Sequence, residues 1–154
     1  MEHLPYLERV KIQSEILLPL YRRLRETLGE EQAASLLREA VADFGRQMGE
    51  QIAEASNAPT LDKLRGLLPA FMAGDALDVE PLADNDTEIK LNVRGCRYAE
   101  YFRSIGEPEF GAMLTCEIDP PMTTGIDKSL TLERTQTWMS TNKPCDFRWK
   151  LAQK

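Results

Sequence analysis

Histidine is almost missing from this chain: among 154 residues there is one, His3, near the N-terminus. A serine–histidine–carboxylate or cysteine–histidine pair would have to recruit it from an end expected to fray, and a histidine-based metal site is out of reach within one chain. Long apolar runs are missing too, since none approaches the roughly 18 residues that cross a bilayer. Met1-Glu2-His3-Leu4-Pro5 lacks the basic-then-apolar layout of a signal peptide, so the expected location is cytoplasmic, with no membrane partner. Nor is there a clustered basic face. The net charge is −6, and Arg22, Arg23 and Arg25 are followed at once by Glu26, Glu30 and Glu31, which argues against a nucleic-acid partner. Three cysteines, an odd number in a chain read as cytosolic, are poor disulfide material. Any catalyst here works with thiols, carboxylates, Arg, Lys, Tyr and backbone amides.

What remains is the composition of one globular domain, residues 1–154, with a helical part over 1–75 and a sheet part over 76–154. Val10, Leu17, Tyr21, Leu24 and Leu28 recur at helical spacing, with Pro19 predicting a kink or short break and Gly29 a C-cap. A second helix begins near Glu30, with Ala33, Leu37, Val41, Phe44, Met48 and Ile52 as its buried stripe. Thr60 opens a shorter third helix through Leu61, Leu64 and Leu68, and Pro69 argues against a long continuation. The Ala-rich faces around Ala33, Ala40 and Ala55 suit close helix packing and predict a homodimer through these helices.

From Ala76 the period changes to two. Leu77 and Val79, then Ile89, Leu91 and Val93, flank the turn residues Ala83-Asp84-Asn85-Asp86 as a hairpin. Tyr98 to Ser104 reads as a helix, and a second runs from Pro108 to Cys116, with Asp119-Pro120-Pro121 as a stop. A last hairpin follows. One strand carries Leu130, Leu132, Arg134, Gln136 and Trp138 on one face; the other carries Cys145, Phe147, Trp149 and Leu151. The predicted class is α+β: N-terminal helices packed on a roughly four-stranded antiparallel sheet interrupted by a helical pair.

All three cysteines fall in the sheet part, each at an element boundary: Cys96 after a strand, Cys116 at a helix end, Cys145 opening a strand. Asp119 lies three residues beyond Cys116. Singly, a cysteine is more often a small buried apolar group than a reactive one. As a set beside Asp119 and Arg134 they point to chemistry. A thiolate at a helix C-terminus is disfavoured by the dipole, so Cys116 needs a cation, for which Arg134 and Arg97 are candidates. A second reading makes Cys96, Cys116, Asp119 and Cys145 a zinc site, although no C-x-x-C pair anchors it. Arg134 either pairs internally with Asp119, Glu100 or Glu109, or grips a substrate carboxylate.

The order C-x-Y-x-E from Cys96 to Glu100, P-E-x-G from Pro108, C-x-x-D from Cys116 and L-x-R-T-x-T from Leu132, closed by Cys145-Asp146-Phe147-Arg148-Trp149, resembles the L-2-amino-thiazoline-4-carboxylic acid hydrolase family. The helix with Pro19, and Leu28-Gly29-Glu30-Glu31-Gln32-Ala33 after it, look like that family's opening. The turn Ser140-Thr141-Asn142-Lys143-Pro144 departs from it, lacking an expected glycine. The resemblance implies hydrolytic opening of a small cyclic isothiourea carboxylate to N-carbamoyl-L-cysteine, without a cofactor. In that reading Cys116 attacks or positions attack and is partly ionised near neutral pH, while Asp119 handles protons. Arg134 binds the carboxylate, with Cys96, Cys145, Tyr98 and Glu100 around the substrate. A weaker, fold-level similarity to small-ligand-binding domains of the vinyl reductase type keeps a non-catalytic sensor open as the alternative.

Overall fold

A computed structural model describes residues 3–153. Helix α1 spans Tyr6–Leu28 and buries Leu7, Val10, Ser14, Leu18 and Tyr21, a three-and-four spacing along one face. It passes Pro19 without the expected break. That proline stands on an exposed part of the helix, where water can serve the carbonyl its missing N–H leaves free. Gly29, at φ 85°, takes the left-handed turn that separates α1 from α2, Glu30–Glu54.

The buried face of α2 differs from the expected stripe. Ala33 and Val41 are buried, but Phe44 is exposed, and Gly45 and Gly49 take the inner positions instead. They face α6, Asp119–Ile126. A Cβ on Gly49 would come within 2.2 Å of the Met122 carbonyl oxygen and 2.8 Å of Gly125 Cα, so the two backbones meet with no side chain between them. Hydrophobic periodicity cannot register such a contact. Ala33 is buried inside the chain, so the exposed stripe proposed for self-association keeps only Ala40 and Ala55 of its three alanines.

Helix α3, Thr60–Met72, extends past Pro69 and buries Leu61 and Leu64. Beyond it come strands β1, Leu77–Asp84, and β2, Glu88–Cys96. Later in the chain lie β3, Leu130–Glu133, and β4, Cys145–Leu151. All neighbours pair antiparallel, in the order β1-β2-β4-β3. Register sets Val93 opposite Cys145, Leu91 opposite Phe147 and Ile89 opposite Trp149, so one sheet face is apolar. Lys90, Asn92, Asp146 and Arg148 occupy the alternate positions. Edge strand β1 carries Pro81 and two register shifts, devices suited to an edge.

Between β2 and β3 run α4, Arg97–Ser104, and α5, Pro108–Gly111, then a π-helical turn, Ala112–Cys116, and α6. Asp119-Pro120-Pro121 begins a helix rather than ending one: proline is harmless in a first turn, whose N–H groups lack partners anyway. The expected strand through Trp138 also stops short. The chain leaves β3 at Glu133, and Trp138–Thr141 forms a short helix, α7. Asn142, at φ 57°, closes α7 in the left-handed position that the missing glycine would have taken.

Two apolar clusters result. One joins α1 to α4 and α5 through Val10, Tyr21, Phe102 and Phe110. The other joins α3 to the sheet through Leu64, Ile89, Val93, Leu130 and Trp149. Each fully buried side chain of this size contributes on the order of 2 kcal/mol. Among the described residues, no helix is long and apolar enough to cross a membrane.

Candidate functional site

Where the clusters meet, α3, the apolar sheet face, the π-helical turn and the start of α6 enclose a cavity of about 120 Å³. Leu64, Leu68, Phe71, Leu91, Val93 and Phe147 belong to its largely apolar wall. One corner is polar, and the residues that define it are those the sequence motifs share.

Cys116 ends the π-helical turn, and Asp119 opens α6. The two residues between them point elsewhere: Ile118 is buried, and Glu117 accepts a 2.8 Å bond from Arg38 Nε. The C-x-x-D spacing thus folds a thiol and a carboxylate onto the same cavity wall. Arg134 arrives from the segment after β3. Its Nη1 donates to Asp119 Oδ2 at 2.5 Å, its Nη2 donates to the Cys116 carbonyl at 2.9 Å, and its guanidinium carbon sits 5.0 Å from the Phe147 ring centroid. The internal pair foreseen as one of two fates for Arg134 is the one formed, and it ties both ends of the Cys116–Asp119 turn together.

Cys96 and Cys145 line the same cavity, so the three thiols do converge. Their sulfurs are already engaged. Cys96 Sγ accepts from Ala99 N at 3.4 Å and caps α4; Cys145 Sγ accepts from Trp138 N at 3.3 Å. Among the described residues, the one hydrogen-bonding partner of Cys116 Sγ is the Thr115 hydroxyl, at 3.8 Å. Tyr98 lines the cavity while its hydroxyl donates to the Phe71 carbonyl at 3.0 Å, fixing the end of α3. Glu100 is not part of the site: it is exposed on α4 and absent from the cavity wall. The four residues of the zinc alternative share the cavity, but among the described residues no three His, Cys, Asp or Glu side chains form a group able to hold a metal ion.

Electrostatics separate these groups. Burial pushes the Cys116 thiol up to about 12, Asp119 adding to the rise and Arg134 opposing it. Burial likewise pushes Cys96 up to about 11 and raises Cys145. The expectation of a partly ionised Cys116 near neutral pH is therefore not met in this state: desolvation outweighs the single cation beside it. Asp119 behaves differently. Burial raises its carboxyl to about 6, and the charge and hydrogen bond of Arg134 hold it from rising further. It is the group at this corner that changes charge near neutrality.

Sequence reasoning missed Asp146 and Thr137. Asp146 Oδ1 accepts from the backbone N–H groups of Thr135 at 2.8 Å and Gln136 at 2.9 Å, and Oδ2 accepts from the Thr135 hydroxyl. These bonds fold the segment carrying Arg134 back over β4. Burial works against the Asp146 charge, but the hydrogen bonds outweigh it and hold the carboxyl below its usual range. Thr137 lines the cavity and caps α7, accepting from Ser140 N at 3.2 Å. The signal was present in the R-T-x-T and C-D motifs, whose partners are obvious only once the strands are paired.

Fold and site together define an α+β domain built around a small, partly open cavity with one charged corner. The model for L-2-amino-thiazoline-4-carboxylic acid hydrolase matches residues 9–149, and the chain belongs to that family, which makes it a hydrolase of this general class. Curated protein sequences provide no match. Among solved structures, the crystal structure of the phenol-responsive sensory domain of the transcription activator PoxR with phenol is similar in fold. Its TM-score is 0.55 at 16% identity, over 88% of this chain and 72% of that one.

Proposed function

We propose that the cavity is the reaction site of a hydrolase that opens a small ring at a C=N or amide carbon, as in the conversion of L-2-amino-thiazoline-4-carboxylate to N-carbamoyl-L-cysteine. The observation that carries this reading is the Arg134-bound Asp119, set beside Cys116 on the wall of one small cavity. A cavity on the order of 150 Å³ takes a benzene ring, so the volume here suits a single ring. Cys116 rests as a thiol. Its sulfur adds to the ring carbon as Asp119, ionised at neutral pH, accepts the thiol proton. That proton then goes to the leaving ring heteroatom, and water releases the carbamoyl product and restores the thiol. Before substrate enters, Arg134 keeps Asp119 in place and balances its charge. Cys96 and Cys145 hold the local backbone through their sulfurs. The reading uses no metal ion or cofactor, and near-stoichiometric zinc in protein purified without chelator would overturn it.

The direct assay incubates the protein with L-2-amino-thiazoline-4-carboxylate, hydantoins, thiohydantoins and cyclic ureas, and detects ring-opened products by mass. Turnover of any of them supports the reaction class; turnover of none removes it.

One observation favours a second reading, a non-catalytic ligand-binding domain: the wall is apolar apart from one corner, and its thiols rest protonated. A single-ring compound that binds at micromolar concentration with no product after prolonged incubation would support that reading.

A further inference from the structure

The charge balance of the cavity restricts what can enter it. Among the described residues on its wall, Arg134 is the one cation and Asp119 the one carboxylate, and they are bound to each other. Their side chains are 12% and 16% exposed, so the pair is largely withdrawn from solvent. The second terminal nitrogen of Arg134 is occupied by the Cys116 carbonyl, and its flat face lies near Phe147. No buried side-chain nitrogen or oxygen among the described residues lacks a hydrogen-bond partner. The wall is neutral as a whole and has no spare cation. Moving a lone carboxylate from water into such a place is strongly unfavourable unless it meets a partner there.

We propose that the cavity admits single-ring ligands with no net negative charge, either neutral rings or amidine–carboxylate zwitterions that straddle the Arg134–Asp119 pair, and that a simple carboxylate enters only together with one proton. This rests on the reading of the cavity as the reaction site and names the charge class of its substrate. A neutral ring offers an N–H or O–H donor to Asp119 and leaves the internal pair intact. A zwitterion sets its amidinium against Asp119 and its carboxylate against Arg134, exchanging one internal pair for two with the ligand and leaving no charge over. A simple carboxylate has no such option. It can take Arg134 only if Asp119 gives the guanidinium up, and Asp119 can do so cheaply only as the neutral acid. The groups near Asp119 are Arg134, Cys116 from the π-helical turn, Cys145 from β4, Tyr6 from α1 and Tyr98 from α4. Burial keeps the three thiols and two phenols protonated near neutrality, which leaves Asp119 as the acceptor of the added proton.

The test is calorimetric titration of the full chain with phenol, benzoate and L-2-amino-thiazoline-4-carboxylate at pH 5 to 8. Each titration is run in two buffers of different ionisation enthalpy, so that proton uptake is read directly; the zwitterion is titrated into Cys116→Ser protein to prevent turnover. Phenol and the zwitterion should bind with no net proton uptake and, from pH 6.5 to 7.5 where Asp119 is already ionised, with a flat pH dependence. Benzoate should take up about one proton, and its affinity should fall about tenfold per pH unit above the Asp119 transition. Asp119→Asn should flatten that dependence; if the variant does not fold, the two-buffer comparison on the unmodified chain decides alone. Benzoate binding at pH 7.5 as tightly as phenol, with no proton taken up, would overturn the proposal, as would binding of none of the three. A protein that obeys the charge rule but turns nothing over would instead refute only the hydrolase reading.

Discussion

The cavity has two kinds of wall. The wall formed by α3 and the sheet consists of regular elements, and its residues, Leu64, Leu68, Leu91 and Phe147 among them, follow helical or alternating spacing. The opposite corner is assembled where regularity fails: a π-helical turn, the first residue of a helix, and the irregular segment between β3 and α7. The first wall is held by area. The second is held by a few directed bonds, Arg134 to Asp119 and to the Cys116 carbonyl, and Asp146 to Thr135 and Gln136. Space for a ligand thus comes from packing that tolerates change in small steps, while the chemistry depends on contacts that are either made or lost.

Substitutions on the two walls should separate these contributions. The largest stability effect is expected on the regular wall. Leu64 is fully buried, and Leu64→Ala should destabilise by about 2–5 kcal/mol, measured by urea unfolding, and should enlarge the cavity enough to relax ligand size. If Leu64→Ala costs under about 1 kcal/mol, the wall is not the packed surface described here.

The next effect, on the order of 3 kcal/mol at most, is a pH dependence at the charged corner. Asp119 binds its proton more tightly in the folded chain, near 6 against 3.8 unfolded, so its contribution to stability is lost as pH rises from about 4 to about 6 and is constant above that. Asp127 and Asp146 have lowered values, so what they contribute is lost as pH falls below the usual carboxylate range, on the far side of the window. Denaturant melts of the unmodified chain and Asp119→Asn across pH 4 to 7 should therefore converge or cross within that interval. Parallel curves would contradict the buried carboxyl.

Asp146→Ala should cost about 1–3 kcal/mol, since it leaves two backbone N–H groups without their acceptor. It should also lower turnover more than that loss accounts for, because Arg134 rides on the segment Asp146 holds. The readout is kcat and melting temperature together, and a stability loss with unchanged kcat would confine Asp146 to the fold.

The same division explains what could be read before the chain was folded. Periods of 3.6 and 2 reveal α1, α2, α3, β1, β2 and β4, because those elements each bury one face. They mislead where an element is held in some other way. Gly45 and Gly49 let the backbones of α2 and α6 meet, yet their lack of a side chain removes them from any hydrophobic stripe. Pro120 and Pro121 can end one helix or begin the next, and only the carboxylate before them, bound to Arg134, shows which. Arg134 continues the alternation of β3 on paper; Asp146 draws the following segment out of the strand. The site residues were visible as types in motifs, with Glu100 as the exception, an acidic residue one helical turn from Cys96 that faces solvent.

The most direct test of the whole account compares Cys116 with the other two thiols. Limiting iodoacetamide at pH 8, with and without a bound single-ring ligand, is followed by turnover assays and melts of Cys116→Ser and Cys145→Ser. Cys116 should be labelled slowly, as a half-buried thiol held protonated, and be protected by ligand. Cys116→Ser should lose at least about 10²-fold in kcat with a nearly unchanged melting temperature. Cys145→Ser, which alters a buried sulfur that accepts from Trp138 N, should lose mainly stability. Full turnover by Cys116→Ser, or labelling of Cys116 that ligand does not affect, would contradict the assignment of this cavity as the reaction site.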